Sequence, residues 1–293
     1  TEAGEPDSKA PPAPTAPLQV ALDFELPTEL VLRNRGTASS PDRFYYDVED
    51  AYPERPGKVH RFIKDAMPDP ESAVSRLVAG IGYGGSRGFE LSFGPSDPRV
   101  PPKSERMELY VARGADPERA MAFGDVRYLS YDLYVDPENG SPSGHATITQ
   151  CWQLPTSVES FQTGAYRKVK VVPMWLALRE VDGQLGYTLH LKNERAPRDG
   201  EYHAVSVIAG KGTFEPGWNT LVFRFEPAHR HSERTGRIDF WLNTTDESAP
   251  THSMEYPWGI TPQAELPEGL PPTGAANRFD VRMGLYRPKQ ESA

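Results

Sequence analysis

Gln150 and Trp152 form the clearest chemical pairing in this chain, within Ile148-Thr149-Gln150-Cys151-Trp152-Gln153-Leu154-Pro155. The run reads as a β-strand. Side chains on a strand alternate between faces, so Gln150 and Trp152 share one face and Cys151 points to the other. An amide beside an indole suits a sugar, because the amide hydrogen-bonds to hydroxyls and the indole stacks on the ring. Two further stretches carry polar residues at the same spacing. Arg106 and Glu108 alternate with Met107 and Leu109, and Arg282 and Tyr286 alternate with Met283 and Leu285. Side by side, the three strands would build one wall of a polysaccharide groove. Arg106 and Glu108 have two readings: a solvated face with a cross-strand ion pair, or a buried pair whose planar guanidinium is fixed for carboxylate recognition.

The elements that must position these residues are strands. The chain has 293 residues with 30 Pro and 25 Gly, many breakers at short spacing. That composition favours strands and turns over helices. The net charge of −9 argues against nucleic-acid binding, which needs a basic footprint. It leaves room for an anionic substrate held by a local Arg and Lys cluster. No apolar run approaches the roughly 20 residues needed to span a bilayer. The single cysteine, Cys151, excludes an intramolecular disulfide and reads as a small buried hydrophobe. No CxxC or HExxH spacing occurs, and His229 and His231 read as a solvated turn. The acidic turns at Asp136-Pro137-Glu138-Asn139 and Asp246-Glu247 could hold a structural calcium ion, although solvated turns are the simpler reading. No other cofactor is implied.

Residues 1–17, with five prolines, read as a disordered Pro/Ala-rich leader. Residues 18–293 read as a single domain. Leu18, Val20, Leu22, Phe24 and Leu26 alternate as a first strand. Asp69-Pro70-Glu71 looks like a helix start, Ala73, Val74, Leu77 and Val78 have helical spacing, and Gly80 is placed to stop the helix. Further strands are expected around residues 89–93, 104–111, 126–135, 169–179, 185–193, 221–225, 238–242 and 279–286. Asp182-Gly183 is a hairpin turn. Beyond it Thr188, His190 and Lys192 share a face. Residues 246–277 read as a loop. At least ten strands with one short helix fit an all-β, antiparallel two-sheet β-sandwich or jelly roll.

Several of these stretches resemble the jelly-roll polysaccharide lyases, the broad group of heparin lyase I-like, glucuronan lyase and alginate lyase enzymes. Arg106-Met107-Glu108-Leu109 is similar to that group's R-x-E-L strand, and Ile148-Thr149-Gln150-Cys151-Trp152 to its I-x-Q-x-H strand. Gly217-Trp218 and Gly236-Arg237-Ile238-Asp239-Phe240-Trp241-Leu242-Asn243 resemble its G-x-W and G-x-I-x-x-W-L-D/N hairpin. Arg282-Met283-Gly284-Leu285-Tyr286-Arg287 resembles its K-x-G-x-Y-R strand. The matches keep the group's order over residues 106–287. Two positions depart: Trp152 stands where a histidine is usual, and Arg282 where a lysine is usual.

The resemblance implies a concanavalin A-like sandwich and an extracellular enzyme, secreted, cell-surface or periplasmic. It also implies β-elimination on an anionic, uronic acid-containing polysaccharide, carried out by a monomer. Such a reaction needs a group that neutralises the uronate carboxylate, a base for the C5 proton and an acid for the glycosidic oxygen. Gln150 and Arg106 are the candidate neutralisers. Tyr286 matches the catalytic tyrosine, as acid or as both acid and base. His190 is the candidate to replace the missing histidine from a neighbouring strand. Trp152, Glu108, Arg282 and Lys192 are the candidate substrate-binding residues. A non-catalytic carbohydrate-binding jelly roll is the alternative. A glycoside hydrolase ranks last; it would need two carboxylates flanking one bond, such as Glu108 with Asp132 or Asp239.

Overall fold

The computed structural model describes residues 32–34, 43–47, 61–65, 73–78, 88–93, 105–112, 121–135, 146–153, 171–194, 204–229, 232–244, 246–259 and 278–287. These residues form strands and turns with no helix, and so none that is long and apolar enough to cross a membrane. The expected leader and the strand at residues 18–26 lie outside the described residues.

Among the described residues there are sixteen strands. They are β1 (Leu32–Asn34), β2 (Arg43–Asp47), β3 (Arg61–Asp65), β4 (Ala73–Val78), β5 (Gly88–Phe93), β6 (Glu105–Ala112), β7 (Met121–Ala122) and β8 (Arg127–Val135). Then come β9 (Ala146–Gln153), β10 (Val171–Val181), β11 (Gln184–Glu194), β12 (Ala204–Thr213), β13 (Gly217–Glu226), β14 (Arg237–Leu242), β15 (His252–Glu255) and β16 (Arg278–Arg287). A large antiparallel sheet runs β1-β2-β3-β6-β16-β9-β10-β11-β12, with β7 added beside β16. A second antiparallel sheet runs β15-β14-β13-β8, and β4 and β5 form a hairpin of their own.

The two larger sheets pack as a sandwich. The small sheet contributes Leu129, Leu221, Phe223, Phe225, Ile238 and Phe240 to the core. The large sheet contributes Cys151, Met174, Leu176, Leu189, Leu191, Phe279 and Val281. Each such side chain, fully buried, stabilises the fold by roughly 1.5–3 kcal/mol. Tyr187 of the large sheet meets Phe240 of the small one edge-on at 5.2 Å. The Tyr131 hydroxyl of β8 hydrogen-bonds across the core to Thr149 of β9. Burial holds that hydroxyl well above the usual tyrosine range, so it stays neutral. Cys151 is fully buried, and burial pushes its thiol up as well, which makes it inert.

Three local expectations are corrected. The helix expected from Asp69 to Gly80 is replaced over residues 73–78 by strand β4, in register with β5 from Ala73↔Phe93 to Val78↔Gly88. Valine and leucine suit a strand as well as a helix, and an antiparallel partner satisfies the backbone polar groups that a lone short helix leaves at its ends. Inside the loop expected over residues 246–277, β15 pairs with β14 as a short edge strand. His229, expected in a solvated turn, is buried, edge-to-face with Phe123 at 4.9 Å. The hairpin at Asp182-Gly183 has the two positive φ angles, 52° and 79°, of a type I′ turn.

His252 of β15 joins the sheets at their edge. Its Nε2 lies 2.9 Å from the Tyr187 hydroxyl, and its ring fills the space beside Gly210 of β12. A Cβ at residue 210 would stand 2.3 Å from that ring, so only glycine fits. Burial lowers His252 below its ordinary value of 6.5. As pH falls, the unfolded chain takes up this proton before the folded one. The contribution to stability is therefore whole above pH about 6.5 and is lost progressively below it. In chemical denaturation at neutral and mildly acidic pH, the wild type should lose more stability on acidification than His252→Gln. Equal losses would show that the ring is not held neutral.

Candidate functional site

Strands β6, β16 and β9, far apart in sequence, are consecutive in the large sheet. In β9, Cys151 points into the core while Gln150 and Trp152 turn to the face away from the small sheet. In β16, Phe279 and Val281 point inward while Asp280 and Arg282 turn outward. Arg282 is in register with Gln150, and Asp280 with Trp152.

These side chains and Glu108 form one buried polar cluster. Glu108, Gln150 and Arg282 are 3%, 2% and 5% exposed. The Gln150 amide Nε2 donates to Glu108 Oε1. Arg282 Nη1 lies 3.7 Å from Glu108 Oε2, and its Nη2 donates to Asp280 Oδ2 at 2.7 Å. The guanidinium also sits over the Trp152 ring at 4.5 Å, a cation–π contact. Glu108 pairs across the sheet with Gly284 of β16. Gly284 has φ of 140° and no side chain, which leaves room for Glu108 to reach past β16 to Gln150. Two carboxylates around one guanidinium give the cluster a formal charge of −1.

The reading of Glu108 as half of a buried ion pair gains a partner from another strand. Glu108 is buried rather than solvated, and Arg282 from the neighbouring strand lies beside it. Arg106 is in register with Tyr286 on one side and Asp65 on the other, and its side chain lies outside what the structure describes. The amide-and-indole pair is present, but the Trp152 ring is stacked on Arg282 within the protein.

Tyr286, half-buried, is in register with Thr147 of β9, three residues from Gln150 and so about 10 Å along the strand. His190 is on β11, not on a strand beside β9. β10 intervenes, so His190 stands two strand spacings, about 10 Å, from Gln150. Between them is Trp175, in register with both. The Trp175 and His190 rings are stacked at 4.6 Å and 2° apart, and His190 Nε2 lies 2.8 Å from Thr188 Oγ1. His190 is thus clamped on the face of an indole. Lys192 follows on the same side of β11, opposite Ser206 of β12.

The hydrolase pairing fails on geometry. Asp132 accepts from Thr220 Oγ1 at 2.5 Å, and Asp239 holds Arg237 at 2.9 Å, both on the outer face of the small sheet. Glu108 is on the opposite side of the sandwich, more than the ~10 Å between packed sheets away, so neither carboxylate can share a glycosidic bond with it. At the second acidic turn, Ser248 donates its N–H and hydroxyl to Asp246, which keeps that exposed carboxyl below the usual range. Among the described residues no group of three His, Cys, Asp or Glu side chains is placed to hold a metal ion. The turn at residues 136–139 lies outside them.

Sequence reasoning missed Trp175 and Asp280. Asp280 shares the parity of Arg282 and Tyr286, which was a usable signal. Trp175 sits in Val171-Val172-Pro173-Met174-Trp175-Leu176-Ala177-Leu178, where an unbroken apolar run hides which face each residue takes.

No protein-family model and no curated protein matches the chain. Solved structures with a similar course include an endo-β-1,4-glucuronan lyase from the fungus Trichoderma reesei. It is 12% identical, with 76% of this chain and 79% of that one covered and a TM-score of 0.47. An alginate lyase from Pseudomonas aeruginosa is also 12% identical, with 85% and 84% covered and a TM-score of 0.39. Both of these structural neighbours are polysaccharide lyases.

Proposed function

We propose that the protein is an extracellular or cell-surface polysaccharide lyase that cleaves a uronic acid-containing chain by β-elimination, acting as a monomer on the outer face of β6, β16 and β9. The observation that carries this reading is the direct joining of Glu108, Gln150 and Arg282 from three strands that are distant in sequence and adjacent in the sheet.

An amide nitrogen has two N–H donors. Glu108 takes one, which orients the Gln150 amide so that the second meets the uronate carboxylate. Arg106 supplies the cationic partner for that carboxylate. As the C5 proton leaves, negative charge spreads onto the carboxylate, and donors fixed beforehand stabilise it. The Tyr286 oxygen takes the C5 proton. The C4–C5 double bond forms as the bond from C4 to the glycosidic oxygen breaks, and Tyr286 returns the proton to that oxygen. His190, clamped on Trp175, lines the binding face rather than acting as the base. Glu108 and Arg282 position Gln150, while Trp152 and Lys192 flank the sugar chain.

Mass spectrometry of the products tests the reaction type. Elimination divides the chain without adding water and leaves one unsaturated end per cut, whereas hydrolysis adds one water per cut. Products carrying the added water would overturn the proposal.

A carbohydrate-binding protein without turnover is the second reading, favoured by one observation: Glu108 and Asp280 already surround Arg282. It predicts retarded migration in a polysaccharide gel with no products of either kind.

A further inference from the structure

The outer face of the small sheet, on the far side of the sandwich from the proposed lyase site, carries its own chemistry. Along β8 the outward side chains are Tyr128, Ser130, Asp132 and Tyr134. Tyr128 and Tyr134 are 66% and 54% exposed, which leaves both rings accessible to a ligand. They stand about 20 Å apart along the strand. Tyr134 is in register with Trp218 of β13, and the two rings meet at 5.4 Å and 65°. Between the aromatic ends lie the Ser130 hydroxyl and the Asp132–Thr220 pair. The loop after β14, with Thr244, Asp246 and Ser248, leaves from the Thr220 end, tied there by Asn243 Oδ1 accepting from Thr220 N at 2.8 Å.

We infer that this strip is a second glycan-binding surface, for an extended neutral polysaccharide. Aromatic faces at both ends with hydroxyl and carboxylate acceptors between them match a chain of sugar rings and hydroxyls. The charges select a neutral ligand. Arg224 is paired with Glu226 and Asp239, Arg237 with Asp239, and Arg234 with Glu226, while Asp132 stands exposed in the middle of the strip. A polyuronate would meet that carboxylate head-on. A second copy of the chain is a poor occupant, because the aromatics are separated by polar side chains and form no continuous apolar centre. The surface is independent of the lyase reading.

The test is affinity gel electrophoresis of the full chain in gels containing soluble xylan, mixed-linkage β-glucan or galactomannan, with alginate as the anionic comparison. The wild type should be retarded by at least one neutral polymer. Tyr134→Ala should weaken that retention about tenfold or more, as loss of an aromatic anchor does, and Tyr128→Ala should weaken it on its own. Both variants should still unfold cooperatively and keep any activity on uronate polymers. Unretarded wild type in all three neutral gels, or variants retained like wild type, would overturn the inference. So would concentration-dependent self-association that Tyr134→Ala abolishes without any glycan retention. None of these results bears on the lyase site, whose failure would appear only with uronate polymers.

Discussion

Arg282→Met should lower the free energy of unfolding by about 3–5 kcal/mol, the cost of removing one partner from a buried ionic group. Glu108, Asp280 and Arg282 are all nearly inaccessible to water, and the Arg282 guanidinium lies against both carboxylates. Without it, two buried carboxylates lose the guanidinium that lies between them. Methionine fills similar volume, so the loss reports charge rather than a cavity. Glu108→Gln in the same background should recover part of the loss, because one of the two buried charges is gone. Urea denaturation of the two single variants and the double variant gives the coupling directly. A loss below about 1 kcal/mol for Arg282→Met, the range of exposed ion pairs, would mean that water reaches the cluster.

Tyr286→Phe should reduce turnover on the cleaved polysaccharide by about a hundred- to ten-thousandfold, the usual contribution of a group that moves a proton. Binding should largely survive, because the ring remains. Gln150→Ala should reduce turnover by about a hundred- to a thousandfold, as loss of one preorganised donor does. It should also cost about 1–3 kcal/mol of stability, since a buried hydrogen bond to Glu108 is lost. His190→Ala should reduce turnover far less than Tyr286→Phe, because its ring is engaged by Trp175 and Thr188. An equal loss for His190→Ala would return it to the role of base.

The strands were legible where apolar and polar residues alternate. Period-two patterns at residues 126–135, 221–225 and 279–286 gave both the strand and the face of each side chain, and register then brought Arg282 beside Gln150. The segment at residues 73–78 was misread because Ala73, Val74, Leu77 and Val78 satisfy a helical spacing as readily as a strand. What decides between them is the antiparallel partner at residues 88–93, which no local pattern contains. His190 was displaced for a related reason. Parity gave its face correctly, but counting strands along the chain does not give their order in the sheet, and β10 with Trp175 stands between. Arg282 beside Glu108 was hidden in the same way, because the two are distant in sequence and adjacent only in the sheet.

The most direct measurement of the central claim is ultraviolet absorbance over time, with the protein mixed with alginate, glucuronan, heparin, chondroitin sulfate, pectate and ulvan in turn. A C4–C5 double bond conjugated to the uronate carboxylate absorbs, and neither hydrolysis nor binding creates one. The proposal predicts a steady rise on at least one polymer, abolished by Tyr286→Phe. A flat trace on every polymer, from a folded protein that one of them retards in a gel, would contradict it and leave a carbohydrate-binding sandwich in its place.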